Sequence, residues 1–147
     1  MAIKAFKLSK VRKIIELMQP FVEEGRLLER SYETINNSIN DFVFIEEDNQ
    51  IIACAGLKLY QEENVGEIYA VVVSKKFHNT DTSTRLMELL IDKASRLNLS
   101  SVFALSKYGG RFFFRFEFVE SELSSLPKLR QKSYDYARKS VIYSRYI

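Results

Sequence analysis

The chain is short of the residues that build disulfides and most metal sites. It contains one cysteine and one histidine among 147 residues. A single cysteine cannot form an internal disulfide, and the usual metal sites need several cysteine or histidine ligands. We therefore expect no bound metal. Cys54 lies in the apolar stretch Ile51–Gly56, so we expect a buried structural thiol rather than a nucleophile.

Long apolar runs are also absent from the sequence. No stretch approaches the roughly 18 consecutive apolar residues that a membrane-spanning helix needs. The first residues, Met1–Lys7, lack the apolar core of a secretory signal. Together with the single cysteine, these features predict a cytoplasmic protein that has no membrane partner.

Glycine and proline are scarce, with five and two residues. Hydrophobic residues make up 46% of the chain and charged residues 28%, a composition typical of globular proteins. The length fits one domain with a sizeable core, and the sequence has no internal repeats or low-complexity segments. We therefore expect residues 1–147 to form a single domain.

The net charge of +3 hides an uneven distribution of charge. Residues 128–147 carry six basic side chains, one acidic side chain and four tyrosines. Basic and aromatic residues together can track a nucleic-acid backbone and stack on its bases. A final helix and strand with packed tyrosines and solvated cations would explain the same residues. We favour this second interpretation, because the excess of charge is modest, and expect no nucleic-acid partner.

The pattern of apolar residues predicts alternating strands and helices. The predicted strands are Ile3–Lys7, Phe42–Glu46, Ile51–Leu59, Val65–Val73, Ser101–Leu105, Phe118–Val119 and Val141–Tyr143. The predicted helices begin at Ser9, at Ser31 and at Thr82, with a short helix or turn at Phe112–Phe114 and a short helix after Pro127. The predicted buried face of the helix Thr82–Leu97 comprises Leu86, Leu89, Leu90, Ala94 and Leu97. Pro20 crosses or ends the first helix. This order predicts an α/β fold with a mixed (α+β) sheet in one domain.

The most informative segment joins a strand to a helix. The strand Val65–Val73 ends in three valines, which suggests burial on both faces, and the polar stretch His78–Ser83 leads into an amphipathic helix. Such a connection aims the first N–H groups of the helix at one point, which attracts anions. The stretch contains no glycine, which a close approach of backbone to an anion usually requires. The architecture nevertheless suggests a ligand that carries phosphate.

Four short segments carry a resemblance to a known family. They are Gly25–Ser31, Ile51–Ala55, Gly66–Ala70 and Tyr134–Ser140. With their spacing, they make the region from Ile14 to Ser140 resemble the acetyltransferase domain of N-acetylglutamate synthases, a branch of the GNAT superfamily of acetyl-CoA-dependent N-acetyltransferases. The resemblance implies the GNAT fold, acetyl-CoA as co-substrate, L-glutamate or a similar small amino acid as acceptor, and a place in arginine biosynthesis. The amino-acid-kinase domain of many such synthases has no counterpart here, so we expect a stand-alone form.

The resemblance implies catalytic roles for Glu67 and Ser106. Glu67 matches the candidate general base, which takes a proton from the substrate ammonium directly or through water. Ser106 matches the residue thought to help protonate the departing CoA thiolate. Attack on a thioester needs a neutral amine, so a carboxylate among apolar strand residues is a sensible base. Its neighbours Ile68 and Tyr69 offer little polar compensation. The structural alternatives are an ion-paired carboxylate for Glu67 and a turn former for Ser106.

The resemblance also implies an acceptor site. Arg30 matches the arginine that grips one carboxylate of glutamate, and Arg138 and Ser140 close on it from the C-terminal segment. The backbones at Leu28 and Ala70 match contacts to the other carboxylate. An arginine fork pairs bidentately with a carboxylate, which suits a dicarboxylate substrate. Solvated surface arginines are the structural alternative.

The acetyl-CoA site is implied at the end of the valine-rich strand. Val71 and Val73 fall where the GNAT fold pairs its strand backbone with pantetheine amides. The residues implied at the pyrophosphate are His78, Asn79, Thr80, Asp81, Thr82, Ser83 and Thr84. No activated nucleophile is visible, so we expect direct transfer through a ternary complex without a covalent intermediate.

The pyrophosphate segment departs from the family's pattern. His78 and Ser83 stand where the family has an arginine or glutamine and a glycine, and Thr82 replaces another common arginine. Asp81 places a negative charge where pyrophosphate would lie, and that charge is repulsive. These departures favour an alternative in which a degenerate GNAT domain binds a ligand or partner and catalyses nothing. Transfer to a different amine, and a homodimer, are also left open by the sequence.

Overall fold

The structure, a computed structural model, describes the backbone of residues 2–147 and the side chains from Ser9 onward. The helices are α1 (Ala2–Glu23), α2 (Tyr32–Asn37), α3 (Thr82–Arg96), α4 (Gly110–Arg115) and α5 (Lys128–Lys132). The strands are β1 (Phe42–Glu47), β2 (Gln50–Tyr60), β3 (Val65–Val73), β4 (Ser101–Ser106), β5 (Val119–Ser121) and β6 (Val141–Tyr146). Short 3₁₀ helices connect several of these elements.

The strands of the described chain form a mixed sheet in the order β1-β2-β3-β4-β6-β5. Strands β1 and β2 pair antiparallel. Strands β3 and β4 run parallel, with Val65 opposite Ser101 and Ile68 opposite Ala104. Strand β6 pairs antiparallel with both β4 and β5. Because a parallel pair needs a long crossover connection, α3 lies between β3 and β4 in the sequence. The predicted mixed sheet is confirmed.

Contacts within the chain group its residues into two compact units. The first unit comprises the chain up to Gly56 together with Ala70–Glu88. The second comprises Leu57–Tyr69 and Leu89–Ile147. Strand β3 contributes residues to both units, so the candidate residues on this strand are divided between them.

In the first unit, helices α1 and α2 pack against each other. Val11, Ile14 and Ile35 are completely buried, because the apolar residues of each helix recur at helical spacing. The sequence predicts a helix that begins at Ser31, and Ser31 caps α2, since its side-chain oxygen accepts a hydrogen bond from the N–H of Thr34 at 3.1 Å. This cap satisfies one of the N–H groups that the first turn of a helix leaves unpaired.

In the second unit, aromatic side chains form much of the core. The ring of Phe113 in α4 lies edge-on to Phe118, with centroids 5.1 Å apart, and stacks on Tyr143 of β6 at 5.4 Å. Strand β3 approaches its surroundings closely at Gly66, where a Cβ atom would lie 2.7 Å from Cδ1 of Leu57. That separation is well inside van der Waals contact, so glycine fits this position of the strand best.

The predicted strand Ile3–Lys7 is wrong, because this segment belongs to α1. Alanine and lysine are strong helix formers, and the segment runs directly into the helix predicted from Ser9. Five alternating residues are therefore too few to indicate a strand here. Helix α1 also continues through Pro20 to Glu23, since a proline removes one hydrogen bond of a helix without always ending it.

Helix α3 has nearly the predicted bounds but a narrower buried face. The completely buried residues of the predicted face are Leu86, Leu90 and Ala94. Leu89 and Leu97 are 37% and 45% exposed, so the prediction that they are buried is wrong. Met87, which was not predicted, is 1% exposed. The buried stripe is thus displaced toward Met87, and the two leucines lie on its margin.

Candidate active site

The carboxylate of Glu67 lies on β3, and the residue is 8% exposed. Its Oε1 atom accepts a hydrogen bond from the Tyr60 hydroxyl at 3.0 Å and another from Nε of Arg130 at 2.9 Å. Tyr60 ends β2 and Arg130 lies in α5, so three elements converge on one carboxylate oxygen. We call Tyr60, Glu67, Arg130 and Ser133 the Glu67 cluster.

The two donors of the Glu67 cluster are themselves held in place. Arg130 donates from Nη1 to the carbonyl and hydroxyl oxygens of Ser133, at 3.1 and 3.0 Å. The ring of Tyr60 lies beside Phe103, with centroids 6.0 Å apart. Burial, followed by the negative charge of Glu67, raises the pKa of Tyr60 above its usual value. The phenol therefore keeps its proton and donates a hydrogen bond to the carboxylate.

The expectation that Glu67 has little polar compensation is wrong. It depends on the sequence neighbours Ile68 and Tyr69, whereas the compensating groups come from Tyr60 and Arg130. Neither partner is apparent from the sequence. Arg130 lies 63 positions from Glu67 and is distinguished in the sequence only as one cation of the basic C-terminal stretch, so no local motif could have identified it.

Ser106 ends β4 and is half-buried. Its Oγ atom accepts a hydrogen bond from the N–H of Gly109 at 2.8 Å, which closes a turn, and a Cβ at position 109 would lie 2.6 Å from that oxygen. The hydroxyl proton takes no part in this bond and can still be donated. Glu67 is opposite Phe103 in the parallel pair, which places Ser106 about 10 Å further along β4. Ser106 is therefore a turn former that is not in contact with Glu67.

Leu28 and Arg30 lie in the loop between α1 and α2. Arg30 donates from Nη1 to the carbonyl oxygen of Leu28 at 3.1 Å. Arg30 is half-buried, and Leu28 is 56% exposed. The predicted guanidinium and the predicted backbone contact therefore lie in one accessible segment.

Ala70 interrupts the regular geometry of β3. Its φ is 52°, a left-handed conformation that residues other than glycine seldom adopt. Its carbonyl oxygen accepts a hydrogen bond from Sγ of Cys54 at 3.8 Å. A left-handed residue within a strand redirects the neighbouring peptide groups, and such irregularities are common beside active sites. Val72 is buried whereas Val71 and Val73 are only half-buried, so the predicted burial of both faces holds in part.

Cys54 is completely buried, as predicted. Burial raises the pKa of its thiol to about 12. The sulfur is therefore protonated at neutral pH, which makes it a poor nucleophile. A structural thiol, rather than a reactive one, is what the sequence predicts.

Residues 78–84, which we call the 78–84 loop, follow the 3₁₀ helix Lys75–Phe77 that comes after β3, and they include the first turn of α3. The Nε2 atom of His78 lies 2.9 Å from the carbonyl oxygen of Val73, and it must be the donor because a carbonyl oxygen only accepts. Asn79 adopts a φ of 65°. It therefore takes the left-handed conformation for which an anion-binding turn usually uses glycine.

The start of α3 is capped by side chains and backbone of the loop itself. Thr80 Oγ1 accepts a hydrogen bond from the N–H of Thr82 at 3.2 Å, and the carbonyl of Asp81 accepts one from the N–H of Arg85 at 3.0 Å. The other residues of the first turn in the predicted site are Ser83 and Thr84. Thr82 is 2% exposed, whereas Asp81 is exposed. One N–H is thus already bonded and a negative charge lies nearby, and both features weaken attraction for an anion.

Arg138 and Ser140 lie in one turn that precedes β6. A 3₁₀ helix over Tyr136–Arg138 is capped by the side chain of Asp135. Ser140 is 8% exposed, and its carbonyl oxygen accepts a hydrogen bond from the Tyr134 hydroxyl at 2.8 Å. Arg138 is half-buried. The turn therefore brings together the two predicted acceptor-site residues of the C-terminal segment.

The predicted site residues divide between the two compact units. Those of the first unit are Leu28, Arg30, Ala70, Val71, Val73 and the 78–84 loop, and those of the second are Glu67, Ser106, Arg138 and Ser140. Within the first unit, the structure brings Leu28 to Arg30, and the 78–84 loop to the end of β3. Within the second, it brings Arg138 near Ser140 but keeps Glu67 apart from Ser106.

The part of the chain that the structure describes has neither a metal cluster nor a membrane-spanning helix. None of their histidine, cysteine, aspartate and glutamate side chains gather in groups of three or more that could hold a metal ion. None of their helices is both long and apolar enough to cross a membrane.

The model of the acetyltransferase (GNAT) family matches residues 10–118, so the chain belongs to this family. The amino-acid acetyltransferase of Aliivibrio fischeri is 36% identical over 129 residues, which cover 88% of this chain and 29% of that protein. The amino-acid acetyltransferase of Shewanella oneidensis is 32% identical over 135 residues, covering 92% and 30%. The chain thus spans about three tenths of the length of these curated relatives.

Solved structures agree with this family assignment. N-acetylglutamate synthase from Neisseria gonorrhoeae, complexed with coenzyme A and N-acetyl-glutamate, is 36% identical, with a TM-score of 0.84 over 90% of this chain and 32% of that one. The same synthase complexed with coenzyme A and L-arginine is 34% identical, with a TM-score of 0.81 over 93% and 31%. A GNAT-family acetyltransferase from Staphylococcus aureus, 18% identical with a TM-score of 0.76, covers 94% of this chain and 93% of its own and shows the fold alone. The predicted GNAT fold is confirmed.

Proposed function

We propose that this chain transfers the acetyl group of acetyl-CoA to the amino group of L-glutamate or a similar small amino acid. The observation that carries the proposal is the Glu67 cluster, a buried carboxylate with one oxygen bound by Tyr60 and Arg130. The solved relative that holds coenzyme A and N-acetyl-glutamate supports both the co-substrate and the acceptor. The proposal treats residues 1–147 as one acetyltransferase domain that acts in the cytoplasm.

Glu67 would act as the general base. An amino acid arrives as an ammonium ion, which has no lone pair for attack on a thioester, so its proton must first pass to the carboxylate directly or through water. Ser106 would supply a proton to the departing thiolate, since its hydroxyl proton is not used in the bond from Gly109. The chain offers no activated nucleophile at these positions, so transfer between the two bound substrates is direct.

The acceptor would be recognised by its carboxylates. Arg30, which is half-buried and linked to Leu28, has the planar fork that binds a carboxylate bidentately. The turn that holds Arg138 and Ser140 would supply a second cation and a hydroxyl. In the same unit as Arg30, the redirected backbone at Ala70 would contact the other carboxylate. These contacts would select a dicarboxylate over an amino acid with a neutral side chain.

Acetyl-CoA would bind along the end of β3 and at the start of α3. Backbone groups of Val71 and Val73 would pair with pantetheine, and the 78–84 loop would hold the pyrophosphate. Asn79 in its left-handed conformation supports this assignment, because it turns the backbone where a glycine would normally do so.

A second candidate function is a ligand-binding module without catalysis. It is favoured by one specific feature, the start of α3, where Thr80 already binds the N–H of Thr82 and Asp81 adds a negative charge. If these two features prevent acetyl-CoA from binding, the fold would still offer the carboxylate-binding residues to a different ligand.

A thermal-shift screen separates the two candidates. A ligand at 100 times its Kd raises the free energy of unfolding by about 2.7 kcal/mol, which corresponds to several degrees in Tm for a domain of this size. We expect acetyl-CoA and CoA each to raise Tm by about that amount, and glutamate to raise it further when CoA is present. A shift with glutamate but none with millimolar acetyl-CoA would support the module and contradict the acetyltransferase.

A further inference from the structure

We infer that Arg130 and Tyr60 are positioning residues for the proposed base: by holding Oε1 of Glu67 they present Oε2 as the atom that receives the substrate proton. The inference rests on the proposed function of Glu67. It adds two residues that neither the sequence patterns nor the family resemblance assigned to the site.

The geometry divides the two oxygens of Glu67 between different tasks. Both donors, Nε of Arg130 at 2.9 Å and the hydroxyl of Tyr60 at 3.0 Å, reach the same atom, Oε1. Among the side chains that the structure describes, none donates a hydrogen bond to Oε2. The two bonds also fix the rotation of the carboxylate group about its long axis. Oε2 therefore keeps its lone pairs for an ammonium group or a water molecule.

Arg130 is suited to this task because its donors point in different directions. Nε binds Glu67, while Nη1 binds the carbonyl and hydroxyl oxygens of Ser133. The side chains of Arg130 and Glu67 are only 20% and 10% exposed, so solvent screens their attraction less than it screens a surface pair. A lysine would offer charge without this planar fork.

Tyr60 supplies the second donor from a packed position. Its ring lies against Phe103 on one side and has the Lys58 ammonium 5.3 Å from its centroid. When Oε2 takes the proton, Glu67 becomes neutral and the amine loses its positive charge. Arg130 and Tyr60 keep their own protons throughout, so they act through Glu67 and take no proton themselves.

Steady-state kinetics of Arg130→Gln, Arg130→Lys and Tyr60→Phe would test the inference. Losing a hydrogen bond to a charged group changes a rate or equilibrium constant by about tenfold to a hundredfold. We expect kcat to fall by about that factor in Arg130→Gln, by less in Arg130→Lys, and by about threefold to tenfold in Tyr60→Phe. KM for acetyl-CoA and for glutamate should stay within about twofold of wild type. Arg96→Gln and Tyr146→Phe are matched controls, because Arg96 pairs only with an aspartate on its own helix face in the described structure and Tyr146 is 89% exposed.

The Glu67→Gln background separates positioning from general support of the fold. If Arg130 acts through Glu67, then Arg130→Gln should lower kcat no further once Glu67 is already glutamine. A further drop of tenfold in the double variant, or wild-type kcat in both Arg130→Gln and Tyr60→Phe, would overturn the inference alone. Absence of transfer by the wild-type chain would overturn the proposed function and the inference together. Should Arg130→Gln fail to fold, Tyr60→Phe and Arg130→Lys carry the same test.

Discussion

The Glu67 cluster and the 78–84 loop differ in the sequence distance over which their hydrogen bonds act. Glu67 is bound by residues 7 and 63 positions away, whereas the side-chain bonds of His78 and Thr80 in the loop span two to five positions. Glu67 is buried, and most of the loop is exposed. A site held by distant elements depends on the whole fold, whereas a loop held by near neighbours can change locally. The Glu67 cluster is therefore the more constrained of the two regions, and the 78–84 loop is the region that can vary.

The largest effect is expected for Glu67→Gln, which keeps the shape of the side chain and removes its basicity. We expect kcat to fall by about 10²–10⁴-fold, the usual range for a positioned base, while KM for acetyl-CoA stays nearly unchanged. The measurement is steady-state transfer from acetyl-CoA to glutamate across pH 6 to 9. Glu120→Gln, on the exposed strand β5, is the matched control. Equal rates for wild type and Glu67→Gln would make Glu67 a structural residue.

Arg30 combines the two properties, because it is held locally by Leu28 yet is proposed to bind substrate. Arg30→Ala should raise KM for glutamate by about tenfold to a hundredfold, since a charge-assisted partner of a carboxylate is lost. KM for acetyl-CoA should change by less than twofold. Arg26→Ala removes a nearby arginine that is paired with Glu24 and serves as control. The assignment of Arg30 fails if both variants raise KM for glutamate equally.

The charge of Asp81 lies in the 78–84 loop, the region that we expect to tolerate change. Asp81→Asn removes the negative charge and keeps a good residue for the start of a helix, so we expect acetyl-CoA to bind about two- to fivefold more tightly. The gain should shrink as salt is added, because exposed charges are screened. Titration calorimetry at two salt concentrations measures both effects. Asp92→Asn, further along α3, should leave the affinity for acetyl-CoA unchanged. An equal gain in both variants would contradict the proposal that Asp81 lies beside the pyrophosphate.

Cys54 should show the smallest effect on activity, since it belongs to neither the Glu67 cluster nor the 78–84 loop and its thiol donates to the carbonyl of Ala70. We expect Cys54→Ala to keep kcat within about twofold of wild type. With a thiol pKa of about 12, the native protein should react far more slowly with a thiol reagent at pH 8 than the denatured chain does. The raised pKa also has a stability consequence, because the folded state holds this proton more tightly than the unfolded state. The contribution of the thiol to the free energy of unfolding should be constant below about pH 9 and lost between pH 9 and 12. Rapid modification of the native thiol at pH 8 would contradict its burial.

Prediction from the sequence succeeded where the signal is local. Strand β3 has the predicted bounds Val65–Val73, because a run of β-branched residues is a strong strand signal. The start of α2 at Ser31 and the loop that leads into α3 are likewise properties of a few adjacent residues. The short alternation at Ile3–Lys7 misled because neighbouring helix formers outweighed it.

The partners of Glu67 could not be predicted, because they are set by the packing of distant elements. Tyr60 and Arg130 meet Glu67 only after β2, β3 and α5 have come together, and nothing adjacent to them in the sequence records that contact. The left-handed φ of Ala70 is equally hidden, since alanine has no preference for that conformation. A glycine there would have been a sequence signal, and its absence concealed the irregularity of the strand.

The most direct test of the account is product analysis with the 147-residue chain itself. The purified protein would be incubated with acetyl-CoA and equal concentrations of L-glutamate and L-glutamine, and the products identified by mass spectrometry. We predict N-acetyl-glutamate in clear excess over the glutamine product, formed in step with free CoA, and little of either product with Glu67→Gln. Equal acetylation of both amino acids would contradict the acceptor site. No acetylated amino acid, with acetyl-CoA left intact, would contradict the acetyltransferase.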